Sequence, residues 1–183
     1  MDQPPSWWAV VFALAADATL YTSLVFGALF LWLSAPNWPP PELGFTFAGP
    51  SILAAITLVG AALSARLSDG RAGRTALGLA FTLSAHLITV AALTVLLTSL
   101  PAPTSHAALA SAFAVAAYVT LHAGIGAVLA CYGLWRWHGG YISVQRRLDL
   151  RIGSLWHDYT AVTGLVGLAF PFVLQSLTGS GGR

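Results

Sequence analysis

The residues able to carry chemistry in this chain are few, and most of them lie in apolar surroundings. Asp17 sits in the first apolar run, and five histidines follow at 86, 106, 122, 138 and 157. His122 belongs to Leu121-His122-Ala123-Gly124-Ile125-Gly126, inside one apolar run. His157 belongs to Leu155-Trp156-His157-Asp158-Tyr159-Thr160-Ala161-Val162, at the entrance to another. A polar group within an apolar span is costly, so a span that keeps one usually has a use for it. Asp17 in such a place must be paired or protonated. Three readings of these residues stand side by side. One is a structural cluster in which Asp17 hydrogen-bonds a histidine across a helix interface. A second is a haem held by His86 and His122, since imidazole is a usual haem ligand. The third is a proton or ion path, although such paths usually show several carboxylates in line rather than one. The sequence has no Gly-rich phosphate loop, no zinc-ligand spacing and no paired carboxylates. On residues alone the chain reads as a non-catalytic membrane subunit or a small transporter.

The elements that hold these residues must be membrane helices. The chain has 183 residues, 57% hydrophobic and 8% charged, with mean hydropathy +0.76. Soluble domains carry roughly a quarter charged residues. Lysine is absent, and the positive charge rests on Arg66, Arg71, Arg74, Arg136, Arg146, Arg147, Arg151 and Arg183. Their placement around loops reads as membrane topology, and no nucleic-acid partner is expected. The single Cys131 cannot form an internal disulfide and is expected to be a small buried hydrophobe. The amino terminus lacks the positive region of a secretory signal, so its apolar run is expected to stay as a span.

A spanning helix needs about 20 mostly apolar residues, and five runs qualify: 7–33, 49–67, 75–100, 107–136 and 152–177. The first ends before Pro36 and Trp38-Pro39-Pro40-Pro41, where proline removes backbone donors. Gly49-Pro50 opens the second. Asp69-Gly70-Arg71-Ala72-Gly73 turns into the third, and Pro101-Ala102-Pro103 separates the third from the fourth. His138-Gly139-Gly140 ends the fourth, and a polar stretch from Ser143 to Arg151 leads into the fifth. Seven of the eight arginines fall on the side of the amino terminus. The positive-inside rule then predicts a cytoplasmic amino terminus and a carboxyl terminus on the outer side. Asp17, His86 and His122 fall at similar depth near mid-bilayer, with His157 shallower. Arg66, Arg71, Arg136, Arg147 and Arg151 are the expected partners of phospholipid headgroups. Small residues at packing intervals, Ala108, Ala112 and Ala116 with Gly164 and Gly167, predict close helix approach.

Spans and motifs together resemble subunit III of haem-copper oxidases, in particular cytochrome c oxidase subunit III in its short bacterial form. The resemblance rests on several separated motifs in order. Asp17-Ala18-Thr19-Leu20-Tyr21 stands where the family has a carboxylate followed by aromatic and small residues, with Asp in place of Glu. Trp38-Pro39-Pro40, Leu121-His122 with Gly126, and Trp156-His157 resemble three further family motifs, and the phrase Leu148-Asp149-Leu150-Arg151 is similar to versions fused behind subunit I. The chain departs from the long form in lacking its first helices. Val119 stands where the family has the first histidine of a His-x-x-His pair, and Thr160 stands where it has an aspartate. A family glutamate has no counterpart, and His86 has no family precedent.

The resemblance implies an all-α bundle of five transmembrane helices without a redox centre or catalytic residue of its own. Haem and copper would lie in the partner, subunit I, working with subunit II and cytochrome c. The chain would bind phospholipids and support proton uptake and sustained turnover in the bacterial inner membrane. It also implies a buried polar cluster of Asp17, His122 and His157. Two alternatives stay open: the similar protein that accompanies nitric oxide reductases, and a stand-alone haem b protein using His86 and His122.

Overall fold

The computed structural model describes residues 3–34, 48–70, 74–143 and 146–179. Five helices follow one another: α1 (Pro5–Ser34), α2 (Ala48–Gly70), α3 (Thr75–Ser99), α4 (Ala107–His138) and α5 (Leu148–Gly179). Among the described residues, four stretches are long and apolar enough to cross a membrane: Pro5–Ser34, Ala48–Ser68, Thr75–Ser99 and Ala107–His138. The chain is an all-helical bundle of membrane-protein character. The expected Trp38-Pro39-Pro40 motif and Arg71 lie outside the described residues.

Local chemistry sets the helix ends. Pro5 opens α1 at the position where its missing donor does no harm. His106 caps α4, its Nδ1 accepting the Ala108 amide at 3.0 Å. Pro101 and Pro103 bar continuation of α3 beyond Leu100. α5 begins at Leu148, four residues before the expected 152, because Asp149 in its first turn complements the helix dipole. His157 is therefore nine residues along a helix, about 13 Å from its start, rather than shallow at a helix end.

Helices α2, α3, α4 and α5 close a ring, each packing on the next and α5 returning to α2, while α1 lies against α4 and α5. The seams repeat every seven residues. The buried face of α2 is Ser51, Ala54, Leu58, Ala61, Ser64, Ala65 and Ser68. That of α3 is Thr75, Gly78, Leu79, Thr82, His86, Thr89, Ala92, Leu93 and Leu96. Most of these positions alternate three and four apart, a 3.5-residue period that keeps one seam of each helix turned to its neighbour. Hydroxyl pairs bridge this seam: Thr57 with Thr89 at 2.7 Å and Ser64 with Thr82 at 2.9 Å. A side chain on Gly78 would strike Ser68 and the Ser64 carbonyl, so glycine sets how closely α2 and α3 approach.

The apolar core is drawn from α2 to α5, including Leu58, Leu93, Val115, Ala116, Val119 and Leu168. Ala108, Ala112 and Ala116 of α4 are buried, Ala116 completely. Gly167 makes room for Val115 and the Tyr21 ring, whose atoms a Cβ there would meet at 2.6 and 2.9 Å. By contrast α1 buries only Leu14, Tyr21 and Ala28, seven residues apart, while Phe12, Leu20, Phe26 and Phe30 face outward. Cys131, expected to be buried, is exposed; it sits on the outer side of α4, where a thiol meets lipid as readily as an aliphatic group does.

Candidate functional site

Asp17 occupies the inward seam of α1, three residues past Leu14 and four before Tyr21. It is the one acidic group on that seam, and it points at α4 and α5. One oxygen, Oδ2, gathers three donors. His122 Nε2 lies 3.0 Å away. The Tyr159 hydroxyl donates at 2.6 Å, and the Tyr118 hydroxyl donates in a short contact. The two tyrosine oxygens are 2.9 Å apart. Tyr118 and His122 are four residues apart on α4 and so share a face.

The proton on His122 can be located by elimination. Its Nδ1 is 2.9 Å from the Tyr118 carbonyl oxygen, and a carbonyl only accepts, so Nδ1 carries a hydrogen. The contact between Nε2 and the carboxyl oxygen then needs one further proton between them. The His122 ring stacks with Tyr118 at a centroid distance of 4.0 Å and with Trp156 at 5.3 Å. Trp156 Nε1 donates to the His122 carbonyl at 3.2 Å. Close by, the Tyr21 hydroxyl donates to the Thr163 carbonyl at 2.6 Å. Together these bonds fasten α1 and α4 to α5 through a carboxylate, a histidine, a tryptophan and three tyrosines.

His157 belongs to a second cluster. Its Nδ1 is 2.8 Å from Nε2 of His86, and the two side chains are almost wholly buried. The expected cluster of Asp17, His122 and His157 thus divides in two. The reason is helical geometry: neighbouring residues on α5 project about 100° apart, so Trp156 and Tyr159 face α1 and α4 while His157 faces α3. Gly126 makes the His86 position possible, since a Cβ there would lie 2.6 Å from the His86 Nε2 atom. Nδ1 of His86 is buried and has no hydrogen-bond partner among the described residues.

A haem between His86 and His122 would need a nitrogen of each ring turned to a common iron. Here Nε2 of His86 faces His157, and Nε2 of His122 faces Asp17.

The arginines near the helix ends have partners of their own. Arg66 on α2 pairs with Asp158 on α5 at 2.9 Å. Arg136 on α4 pairs with Asp149 on α5 at 3.1 Å, with its guanidinium 5.7 Å from the ring centres of both Tyr132 and Tyr141. Arg151 is exposed on the first turn of α5, its amide bonded to the Arg147 carbonyl.

Tyr118 and Tyr159 were not singled out by sequence reasoning. Spacing held the signal: Tyr118 lies one turn before His122, and Tyr159 lies one turn after Trp156. No protein-family model matches the chain, and no curated protein does.

Proposed function

We propose that this chain is the non-catalytic subunit III of a haem-copper terminal oxidase of the cytochrome c oxidase type. One observation supports the reading above others. Three motifs that carry the resemblance, the Asp17 run, Leu121-His122 and Trp156-His157, lie on three helices, and residues of all three meet at the His122 ring. Tertiary meeting of separated motifs supports a shared arrangement more strongly than any of the motifs does alone.

In this reading all five helices span the bacterial inner membrane, with the amino terminus cytoplasmic and the carboxyl terminus periplasmic. The arginine division supports that orientation. The chain holds no redox centre and packs against subunit I, which carries the haem and copper and works with subunit II and cytochrome c. Phospholipid headgroups sit at the cytoplasmic loops on Arg66, Arg71, Arg136, Arg147 and Arg151, where Arg66 and Arg136 share their charge with Asp158 and Asp149. The subunit supports proton uptake and sustained turnover.

The test is to tag the chain in its native membranes and extract it in mild detergent. Native mass spectrometry and a visible spectrum then identify what comes with it. Subunit I with haem and copper is expected, along with retained phospholipid. Copurification with a nitric oxide reductase instead would move the chain to that assembly. Stoichiometric haem on the chain freed of partners would refute the subunit reading.

A further inference from the structure

We infer that a cavity at the arginine end of the ring holds water against His157, and that His86 locks His157 as a permanent hydrogen-bond donor into that cavity. The inference is independent of the proposed oxidase role.

The tautomers follow from hydrogen counting. One hydrogen lies between His86 Nε2 and His157 Nδ1, 2.8 Å apart. If His157 supplied it, neutral His86 would carry its own hydrogen on Nδ1, which is buried without a partner. A buried donor with nothing to bond costs about 1–3 kcal/mol. If His86 supplies it, Nδ1 is a bare lone pair on an aromatic ring and no donor is orphaned. The second arrangement wins. It leaves neutral His157 with its hydrogen on Nε2.

That Nε2–H faces a cavity. Gly153, one turn before His157 on α5, has His157 Nε2 as its nearest outside atom, 3.8 Å from where a Cβ would be. Gly153 and His157 line the same cavity of about 100 Å³, together with Asp149, Leu79, Leu129 and Tyr132. Asp149, Gly153 and His157 are spaced by four, so they share one face of α5. The cavity therefore extends from Asp149 to His157, about 12 Å along the helix. Among the described residues Nε2 of His157 has no protein hydrogen-bond partner, and a donor at the end of a chamber this size calls for water. Each water needs roughly 30 Å³ and two or more polar partners. The lining residues carry three such groups: His157 Nε2–H, the Tyr132 hydroxyl and the Asp149 carboxylate.

The charged and titratable groups around the chamber are few. α2 and α3 contribute Ala65 and Leu79 to its wall. α4 contributes Tyr132, whose hydroxyl accepts from Arg136 at 3.1 Å. α5 contributes Asp149, paired with that same Arg136, and His157. The Arg66–Asp158 pair is not part of the lining. The chamber thus runs from the Asp149 end of α5 to a donor whose state the buried His86 ring sets.

The experiment is solid-state NMR of the full chain in lipid bilayers with ¹⁵N-labelled histidine. Expected are a protonated Nε2 and bare Nδ1 on both His86 and His157, and polarisation transfer from water to His157 Nε2. Gly153→Leu fills the chamber and should abolish that transfer while the His86–His157 correlation persists; Gly153→Ala, which meets nothing closer than 3.8 Å, should leave the pair intact. A bare Nε2 on His157, or no water transfer in the natural chain, overturns the inference. Transfer that survives in Gly153→Leu with the pair intact overturns it equally. Should Gly153→Leu fail to fold, the tautomers and the water transfer of the natural chain still decide.

Discussion

The two polar clusters of this bundle solve the same problem in opposite ways. Around Asp17, one carboxyl oxygen receives donors from His122, Tyr118 and Tyr159. Around His86, two rings share one hydrogen bond, and a nitrogen is left without a partner. Their positions differ as much as their chemistry. The oversupplied cluster lies where α1 meets the ring, and the Asp17 side chain is still 23% exposed. The undersupplied pair lies within the ring, where Leu58, Leu93 and Val119 are completely or almost completely buried. α1 buries three residues along its whole length, and packing that sparse offers little hold in lipid. Hydrogen bonds accepted by Asp17 and donated by Tyr21 supply what packing does not. Inside the ring the order reverses: packing holds the helices, and the histidine pair is carried by them.

The sharpest way to break this contrast is to remove one partner from each cluster. His122→Leu strips the carboxyl of its nitrogen partner and leaves it inside an apolar span. Removing one member of a buried pair typically costs about 3 kcal/mol or more, and that loss is expected here, read as reversible unfolding in mixed micelles. A loss below about 1 kcal/mol would show that the tyrosines alone satisfy Asp17. The double substitution His86→Leu with His157→Leu should stay within about 1.5 kcal/mol of the natural chain. Replacing both partners by apolar groups of similar size removes the orphan nitrogen along with the bond. A double variant as damaged as His122→Leu would mean that the pair holds the ring together.

How far the sequence discloses this arrangement depends on the kind of residue. Apolar runs broken by Pro101-Ala102-Pro103 or by His138-Gly139-Gly140 mark their helices plainly, because few other structures satisfy a backbone in lipid. The meeting of Asp17 with His122 could be read from shared depth near mid-span together with the family motifs both resemble, since depth alone puts His86 beside them too. The partner of His157 could not. Its depth was misjudged because the charged Leu148–Arg151 stretch reads as a loop, although Asp149 and the Arg136 pairing make it the first turn of α5. Its direction is a matter of helix rotation, and a helix apolar on all sides gives no stripe by which to fix rotation. The seam of Leu14, Tyr21 and Ala28 that holds Asp17 on α1 becomes visible only in the packed bundle.

A smaller change sharpens the account of oversupply. Tyr159→Phe leaves Oδ2 with His122 and Tyr118, so one of three donors is lost and none of the remaining atoms is stranded. The expected cost is about 1 kcal/mol, the net worth of a single hydrogen bond. A cost matching that of His122→Leu would mean that the three donors act as one unit, and that counting them singly misdescribes the cluster.

The smallest effect is expected outside both clusters, at the ion pair between Arg66 and Asp158. Its geometry is close to ideal, with Nη2 at 2.9 Å and Nε at 3.0 Å from the carboxylate oxygens. Geometry alone would rank it beside the Asp17–His122 contact, which has the same length. Surroundings separate them. The Arg66 side chain is 63% exposed, whereas that of His122 is 6% exposed. A pair this open at a helix end is screened by headgroups and salt and pays side-chain entropy to stay formed. Arg66→Gln should therefore leave stability almost unchanged, and any difference should shrink further as salt rises from 0.05 to about 0.5 M, where the Debye length is only a few ångströms. His122→Leu should show no such salt dependence. If both losses fell in parallel with salt, the Asp17 cluster would have to be as wet as the surface, and the contrast between an interior charge site and a surface pair would fail.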